Sequence, residues 1–386
     1  PKDVIHVHVT YLPVPPMLGE MKTKPAQLSI QQLNRHAIHP DFIIARSEVA
    51  LDKERIEKIS KYCFVPSSHV ISAPDVNCIY DIPLNFEKAN MGKEILKTLN
   101  MRGSDAPLIS KWKKKVSKIK NTKGSIDVGI VGKYYKSGDF DLKDSYVSVL
   151  EAINHACWEF SIEPKIHWIV ADDLEKDEKR LKELKKMDGI IVPQGWGCRG
   201  CEGKIKAIQV AREEKIPYFG LCYGMQMATI EYARNVLKIS NANSEEVDPK
   251  AKDKVIHLMK EQQELIKNKE YGGTIRLGEW PCKIDEKSLI YKMYKKYGNG
   301  LYKPLPTIKE RHRHRYEFNN KYRDIFEKSD MKLVGKSPDG LLIEAIELSQ
   351  KVHPFFVGTQ YHPELKSRFL EPHPLFMGFV NACLKR

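Results

Sequence analysis

Nowhere does the 386-residue sequence approach the roughly 18 consecutive apolar residues that a membrane-spanning helix needs. That argues against a helical span, and no membrane partner is expected. The opening P-K-D-V-I-H-V-H holds neither a basic stretch nor an apolar one, so no secretory leader is read there. Cysteine is sparse: eight residues without a regular framework fit a reducing compartment better than a disulfide scaffold, and the expected location is cytoplasmic. Cys198 and Cys201 form a C-x-x-C, but a zinc ribbon needs a second pair at similar spacing and none occurs, so no metal site is expected. No Walker spacing is present, which removes the commonest phosphate loop. No internal repeat and no long low-complexity tract stands out.

What is present reads as a folded, charged, multidomain chain. Hydrophobic residues make up 41% and charged residues 30%, a globular profile, and the length allows two or three domains at about 150 residues each. Lys and Arg total 64 against 50 acids, a formal charge of +14. Half of that excess sits between Leu108 and Gly124, where Lys111, Lys113, Lys114, Lys115, Lys118, Lys120 and Lys123 occur without an acid. A solvated connector over 106–124 is the expectation, and no nucleic-acid partner.

Before the connector, residues 1–105 read as α/β: a strand over Asp3–Val9, a helix over about Ser29–Ala37, a strand over Phe42–Ala45 and a helix over Asp52–Tyr62. A strand starting at once, without an initiator Met, suggests that an upstream portion is absent. After it, strands at Ile126–Val131, Lys165–Val170, Gly189–Val192 and Tyr218–Leu221 alternate with helices at Leu142–Cys157, Asp173–Lys186, Glu202–Glu214 and Met225–Leu237. Such alternation with short links predicts an α/β fold, a mostly parallel sheet with helices on both faces. Beyond Asn241 the segments are short and β-rich until a strand at Phe355–Gln360 and a closing helix at Pro374–Leu384.

Three segments carry chemistry. In P-Y-F-G-L-C-Y-G-M-Q, residues 217–226, an apolar strand runs through Gly220-x-Cys222-x-Gly224 directly into a helix, the context of a nucleophile elbow with Cys for Ser. The helix start offers amides and a positive dipole end that favour an anionic sulfur. A Cys nucleophile needs a base and a group that orients it. In F-V-G-T-Q-Y-H-P-E-L, His362 follows a strand, and Glu364 stands two residues on across Pro363, placed to fix the imidazole tautomer. In V-P-Q-G-W-G-C-R-G-C-E-G-K-I, residues 192–205, a strand end opens into a glycine-rich loop whose amides, with that of Tyr223, suit an oxyanion.

Together G-L-C-Y-G-M-Q, Y-H-P-E and P-Q-G-W-G-C-R-G resemble the class I glutamine amidotransferases. G-E-M-K-T-K-P-A-Q at 19–27, A-P-D-V-N-C-I-Y-D-I-P at 73–83, N-A-N-S-E-E at 241–246, G-G-T-I-R-L-G at 272–278 and E-R-H-R-H-R-Y-E at 310–317 narrow the resemblance to the CTP synthase family. The resemblance implies a glutaminase domain over 125–386 preceded by the carboxyl-terminal part of an α/β synthetase domain. It assigns catalysis to Cys222, His362 and Glu364. It puts glutamine at Gly195, Tyr223, Gly224, Met225, Gln226, Glu246 and Arg315, and UTP or inhibitory CTP at Lys22, Thr23, Lys24, Pro25, Ala26, Gln27 and Lys58.

The same resemblance implies Mg-ATP as co-substrate, GTP as activator and a homotetramer, with the P-loop portion of the family lacking from this chain. Glutamine hydrolysis would then be the chain's own half of ATP-dependent amination of UTP to CTP. A stand-alone glutaminase or other amidotransferase subunit is the alternative, as is a non-catalytic nucleotide-sensing scaffold. Two departures stand out: Gln194 occupies a position where the family usually has Gly, and Tyr223 one where it usually has Leu.

Overall fold

Three short apolar segments at the start of the chain, Val7–Tyr11, Phe42–Ser47 and Val70–Pro74, pair in parallel in that order. The computed structural model describes residues 3–103, 107–133, 136–137, 140–141, 143–259, 275–302 and 306–386. It divides into two units, Pro1–Ser117 and Lys118–Arg386. In the first, parallel pairing demands crossovers, which the helices Lys24–Arg35 and Lys53–Cys63 provide. Their apolar faces, through Ala26, Ile30 and Ile59, close on Ile43, Ala45 and Val70. The first helix begins five residues before the Ser29 expected of it, because Thr23 takes the N-cap position and Pro25 the first turn, where its missing N–H costs nothing.

The lysine-rich stretch is largely helical. Residues Pro107–Lys120 form an α-helix, and the division between the two units falls inside it. Ile109, Trp112, Val116 and Ile119 recur at helical spacing; Lys115 is buried among them, while Lys111, Lys113, Lys114, Lys118 and Lys120 are exposed. The Trp112 indole donates to the Tyr80 carbonyl at 2.8 Å, and Val116 is buried.

The second unit is built on a nine-stranded sheet. Phe356–Thr359, Tyr218–Leu221, Gly189–Val192, Ser125–Gly132 and Glu163–Val170 are parallel neighbours in that order. Beyond Phe356–Thr359 the sheet continues antiparallel through Ile343–Leu348, Met331–Lys336, Arg276–Ile284 and Thr307–His314. The three central parallel strands are buried along their whole length, which is why they read as unbroken apolar runs. One face is covered by Val147–Glu159, Leu289–Tyr297 and Pro374–Cys383, the other by Cys201–Glu213 and Tyr223–Asn235.

Two expected helices differ. The one over Asp173–Lys186 is two, Ala171–Lys176 and Glu178–Leu184, since Asp177 takes an extended conformation and its carboxylate accepts from the Lys179 amide at 2.8 Å. The one over Leu142–Cys157 starts at Val147 after a 3-10 turn at Lys143–Tyr146, and Leu142 lies outside the described residues. A separate small sheet, Ala242–Ser244, Asp253–Leu258 and Tyr316–Phe318, carries the approach to Glu246 and follows Arg315. Of the 272–278 motif, residues 272–274 lie outside the described residues.

Candidate active site

The strand Tyr218–Leu221 ends at Cys222, which has φ 51° and ψ −97°, and the helix Tyr223–Asn235 starts at the next residue. A side chain other than glycine's is strained at this conformation by about 1–3 kcal/mol, and such strain persists only where the surroundings impose it. The surroundings do. The Cys222 amide donates to the Thr359 carbonyl at 2.6 Å, tying the turn to the neighbouring strand. The flanking glycines are required by close approach: a Cβ on Gly224 would stand 2.0 Å from the Val192 carbonyl oxygen, and one on Gly220 2.8 Å from the Gly224 carbonyl carbon. Gly224→Ala is therefore expected to cost about 3 kcal/mol or more, because the obstruction is the Val192 backbone and not the end of a flexible side chain. A fall in melting temperature of only a degree or less would contradict it.

His362 follows the strand Phe356–Thr359, the parallel neighbour of the elbow strand, so the two strand ends deliver sulfur and imidazole to the same edge. Its Nδ1 lies 2.7 Å from Glu364 Oε1, and both side chains are buried. Nε2 makes no close hydrogen bond among the described residues. Burial by itself would lower the pKa of His362, but Glu364 and the nearby Cys222 sulfur outweigh it and push it up to about 10. The imidazole is thus held protonated between a carboxylate and a sulfur. Gln360 Nε2 donates to Cys222 Sγ at 3.4 Å, and the Arg313 carbonyl lies 3.9 Å from that sulfur.

The loop 193–200 lies beside the elbow. Lys133 holds it by donating to the carbonyls of Trp196, Gly197 and Arg199. The Gly197 amide donates to Glu246 Oε1 at 2.8 Å. Burial raises the pKa of Glu246, opposed by that amide and by the charges of Lys133 and Arg315, so both cations are near the carboxylate. The Tyr223 hydroxyl, 2.7 Å from the Gly197 carbonyl and 2.7 Å from Cys201 Sγ, pins the loop to the helix start. Cys201 is consequently a buried packing contact and Cys198 an exposed thiol. The Gln194 Oε1 is buried without a hydrogen-bond partner among the described residues.

The remaining residues expected around glutamine divide. Gly224 and Met225 face inward: the Gly224 carbonyl accepts from the Tyr218 hydroxyl at 2.9 Å, and Met225 packs on Gly358. Gln226 is buried and donates to the Tyr316 carbonyl at 3.1 Å and to Gln360 at 3.2 Å. In the first unit, Lys22 pairs with Glu20 at 2.7 Å, and Arg55 and Lys58 also act on that carboxylate. Lys24 and Pro25 are exposed, while Thr23, Ala26 and Gln27 are buried, Gln27 donating to Thr23 Oγ1 at 3.2 Å.

Sequence reasoning did not find Gln360, Lys133 or Arg55. Gln360 has a weak signal, standing two residues before His362 just past the end of one strand; the other two are visible only once the chain is folded.

Residues 141–382 match the glutamine amidotransferase class-I family, and residues 1–101 match the CTP synthase N-terminus family. A CTP synthase of Carboxydothermus hydrogenoformans is 45% identical over 383 residues, covering 99% of this chain and 68% of that protein. The chain belongs to the CTP synthase family. A Picosynechococcus CTP synthase is 42% identical over 381 residues, 99% of this chain and 65% of that one, so the chain spans about two thirds of the length of these relatives. The glutaminase domain of a Trypanosoma brucei CTPS, solved with bound acivicin, superimposes with a TM-score of 0.60 at 33% identity over 68% of this chain and 94% of that one. The fold class is that of the class I glutamine amidotransferases. The expectation that the family's amino-terminal P-loop portion is lacking holds only in part, since residues 1–101 match the CTP synthase N-terminus family. Among the described residues no helix is long and apolar enough to cross a membrane.

Proposed function

We propose that the second unit hydrolyses glutamine, and that the whole protein uses the ammonia to aminate UTP to CTP with ATP, as a CTP synthase. The observation that carries the reading is the pairing of a strained elbow cysteine with an imidazole held by Glu364 at 2.7 Å. Cys222 Sγ attacks the side-chain amide carbon of glutamine, and the oxyanion is met by the Tyr223 amide, which as the first residue of its helix has no acceptor within the helix. His362 passes its proton to the departing nitrogen, ammonia leaves, and a thioester remains. His362, now neutral, takes a proton from water, hydroxide adds to the thioester, and glutamate and the thiol are released. Glu364 keeps the ring in one tautomer and supports its charge through both steps.

Glu246 suits the α-ammonium of the substrate and Arg315 its α-carboxylate. Glu246→Gln is then expected to raise KM for glutamine by roughly tenfold or more with a smaller change in kcat, because the ion pair is present in ground and transition states alike. An equal loss in kcat would count against that role. In the first unit, Lys22 and Lys58, joined by Arg55, suit the triphosphate of UTP or CTP. Activation by GTP and assembly as a homotetramer belong to the same reading. No step of ATP chemistry is assigned to residues of this chain, whose sequence holds no Walker segment.

The test is the release of glutamate and ammonia in equal amounts from glutamine by the purified chain. Release that does not respond to UTP, ATP or GTP favours a stand-alone glutaminase. No release, even with GTP added, favours a nucleotide-sensing scaffold.

A further inference from the structure

We propose that Lys204 is a positioning residue of the Cys222 centre: its amine, seated against Gly195 and the Tyr223 ring, supplies positive charge beside the neighbouring sulfur. The proposal rests on reading Cys222 as the nucleophile.

Lys204 stands on the inner stripe of the helix Cys201–Glu213, with Cys201, Ile208 and Ala211, at the spacing of one buried face. A lysine there is 0% exposed, and its Nζ has no hydrogen-bond partner among the described residues. Lysine is almost never buried so completely without a partner, since removing an ammonium from water is costly. The amine lies 4.9 Å from the centre of the Tyr223 ring, which Lys133 approaches to 5.1 Å. A Cβ built on Gly195 would stand 3.2 Å from Nζ, so the amine looks directly onto the loop beside the nucleophile.

The groups that face Lys204 come from four elements: Lys133 after the strand Ser125–Gly132, Asp172 on the helix Ala171–Lys176, Cys201 on its own helix, and Cys222 with Tyr223 at the elbow. Burial and the charge of Lys133 pull its pKa down to about 7, against Cys201, Cys222 and Asp172. Burial pushes Tyr223 and Cys201 up, so both stay neutral in that range. Lys204 therefore changes charge near neutrality, and its charge and that of Cys222 act on one another. A buried amine that weakens the fold, and answers to the sulfur, belongs to the chemistry of the site.

Lys204→Met keeps length and approximate volume and removes the charge. Lys204→Gln keeps a polar head without charge and guards against a folding defect peculiar to methionine. Two rates are compared with native protein from pH 6 to about pH 8.5, where an amine titrating near 7 is almost fully neutral: glutamate release, and alkylation of Cys222 by iodoacetamide read by peptide mass spectrometry. At pH 6 the native rates should exceed those of both variants by on the order of tenfold. At pH 8.5 the ratio should approach one. A ratio that is constant across the range overturns the proposal, because lost packing does not titrate. If native protein releases no glutamate but Cys222 alkylation follows the predicted ratio, the glutaminase reading fails and the role of Lys204 stands.

Discussion

Cys222→Ser is expected to reduce glutamate release from glutamine by about 10³-fold or more, while the protein stays folded. A serine hydroxyl occupies the same position but ionises far less readily than a thiol and is the weaker nucleophile without its proton removed. The substitution also withdraws the sulfur's contribution to His362, one of the two influences that keep the imidazole charged against burial. The histidine pKa should accordingly fall in the serine variant, which NMR titration of the ring protons would show. Cys222→Gly tests the elbow from the other side. At φ 51° and ψ −97° glycine carries no steric penalty, so this inactive variant is expected to melt at a higher temperature than native protein. Residual activity of the serine variant within tenfold of native would place the chemistry elsewhere.

Glu364→Gln is expected to lower kcat by roughly 10²- to 10⁴-fold with little change in KM, because the amide holds the wrong tautomer and cannot support the imidazolium. The sign of the pH effect follows from the causes. Burial lowers the pKa of His362 and Glu364 and Cys222 raise it to about 10, so removing the carboxylate leaves burial less opposed and the pKa falls. The alkaline limit of activity should move to lower pH. Stability shifts in the same sense. In native protein the raised pKa contributes stability that is complete below the ordinary value of 6.5 and is lost as pH rises through about 10. The variant should lose that dependence over the same window, so native and variant melting temperatures converge above about pH 10. Unchanged separation between them at high pH would sink this account of the pair.

The legible parts of this protein are those that local chemistry determines. Gly189–Val192 and Tyr218–Leu221 were readable to the residue because strands buried on both faces admit only apolar side chains. Cys222 was readable because glycines two residues either side answer a steric demand: Gly224 lies against the Val192 carbonyl. The helix within the lysine-rich stretch was not legible because charge density hid a four-residue apolar stripe, and a helix needs little more than such a stripe to bury. The break at Asp177 was hidden because an aspartate serves as a helix surface or as a cap with equal ease, and only the backbone decides.

The sequence by itself singled out Cys222, His362 and Glu364, the proposed nucleophile, base and orienting carboxylate, since each lies in a short segment whose spacing carries the requirement. Only the tertiary structure decided what surrounds them. Gln360, Lys133 and Lys204 gain their roles from packing between elements far apart in the chain, and no local pattern encodes which buried groups will face one another. A lysine on an apolar stripe looks like a surface charge until its helix is laid against the sheet, where the loss of water and the presence of Tyr223, Lys133 and Cys222 change what that amine is.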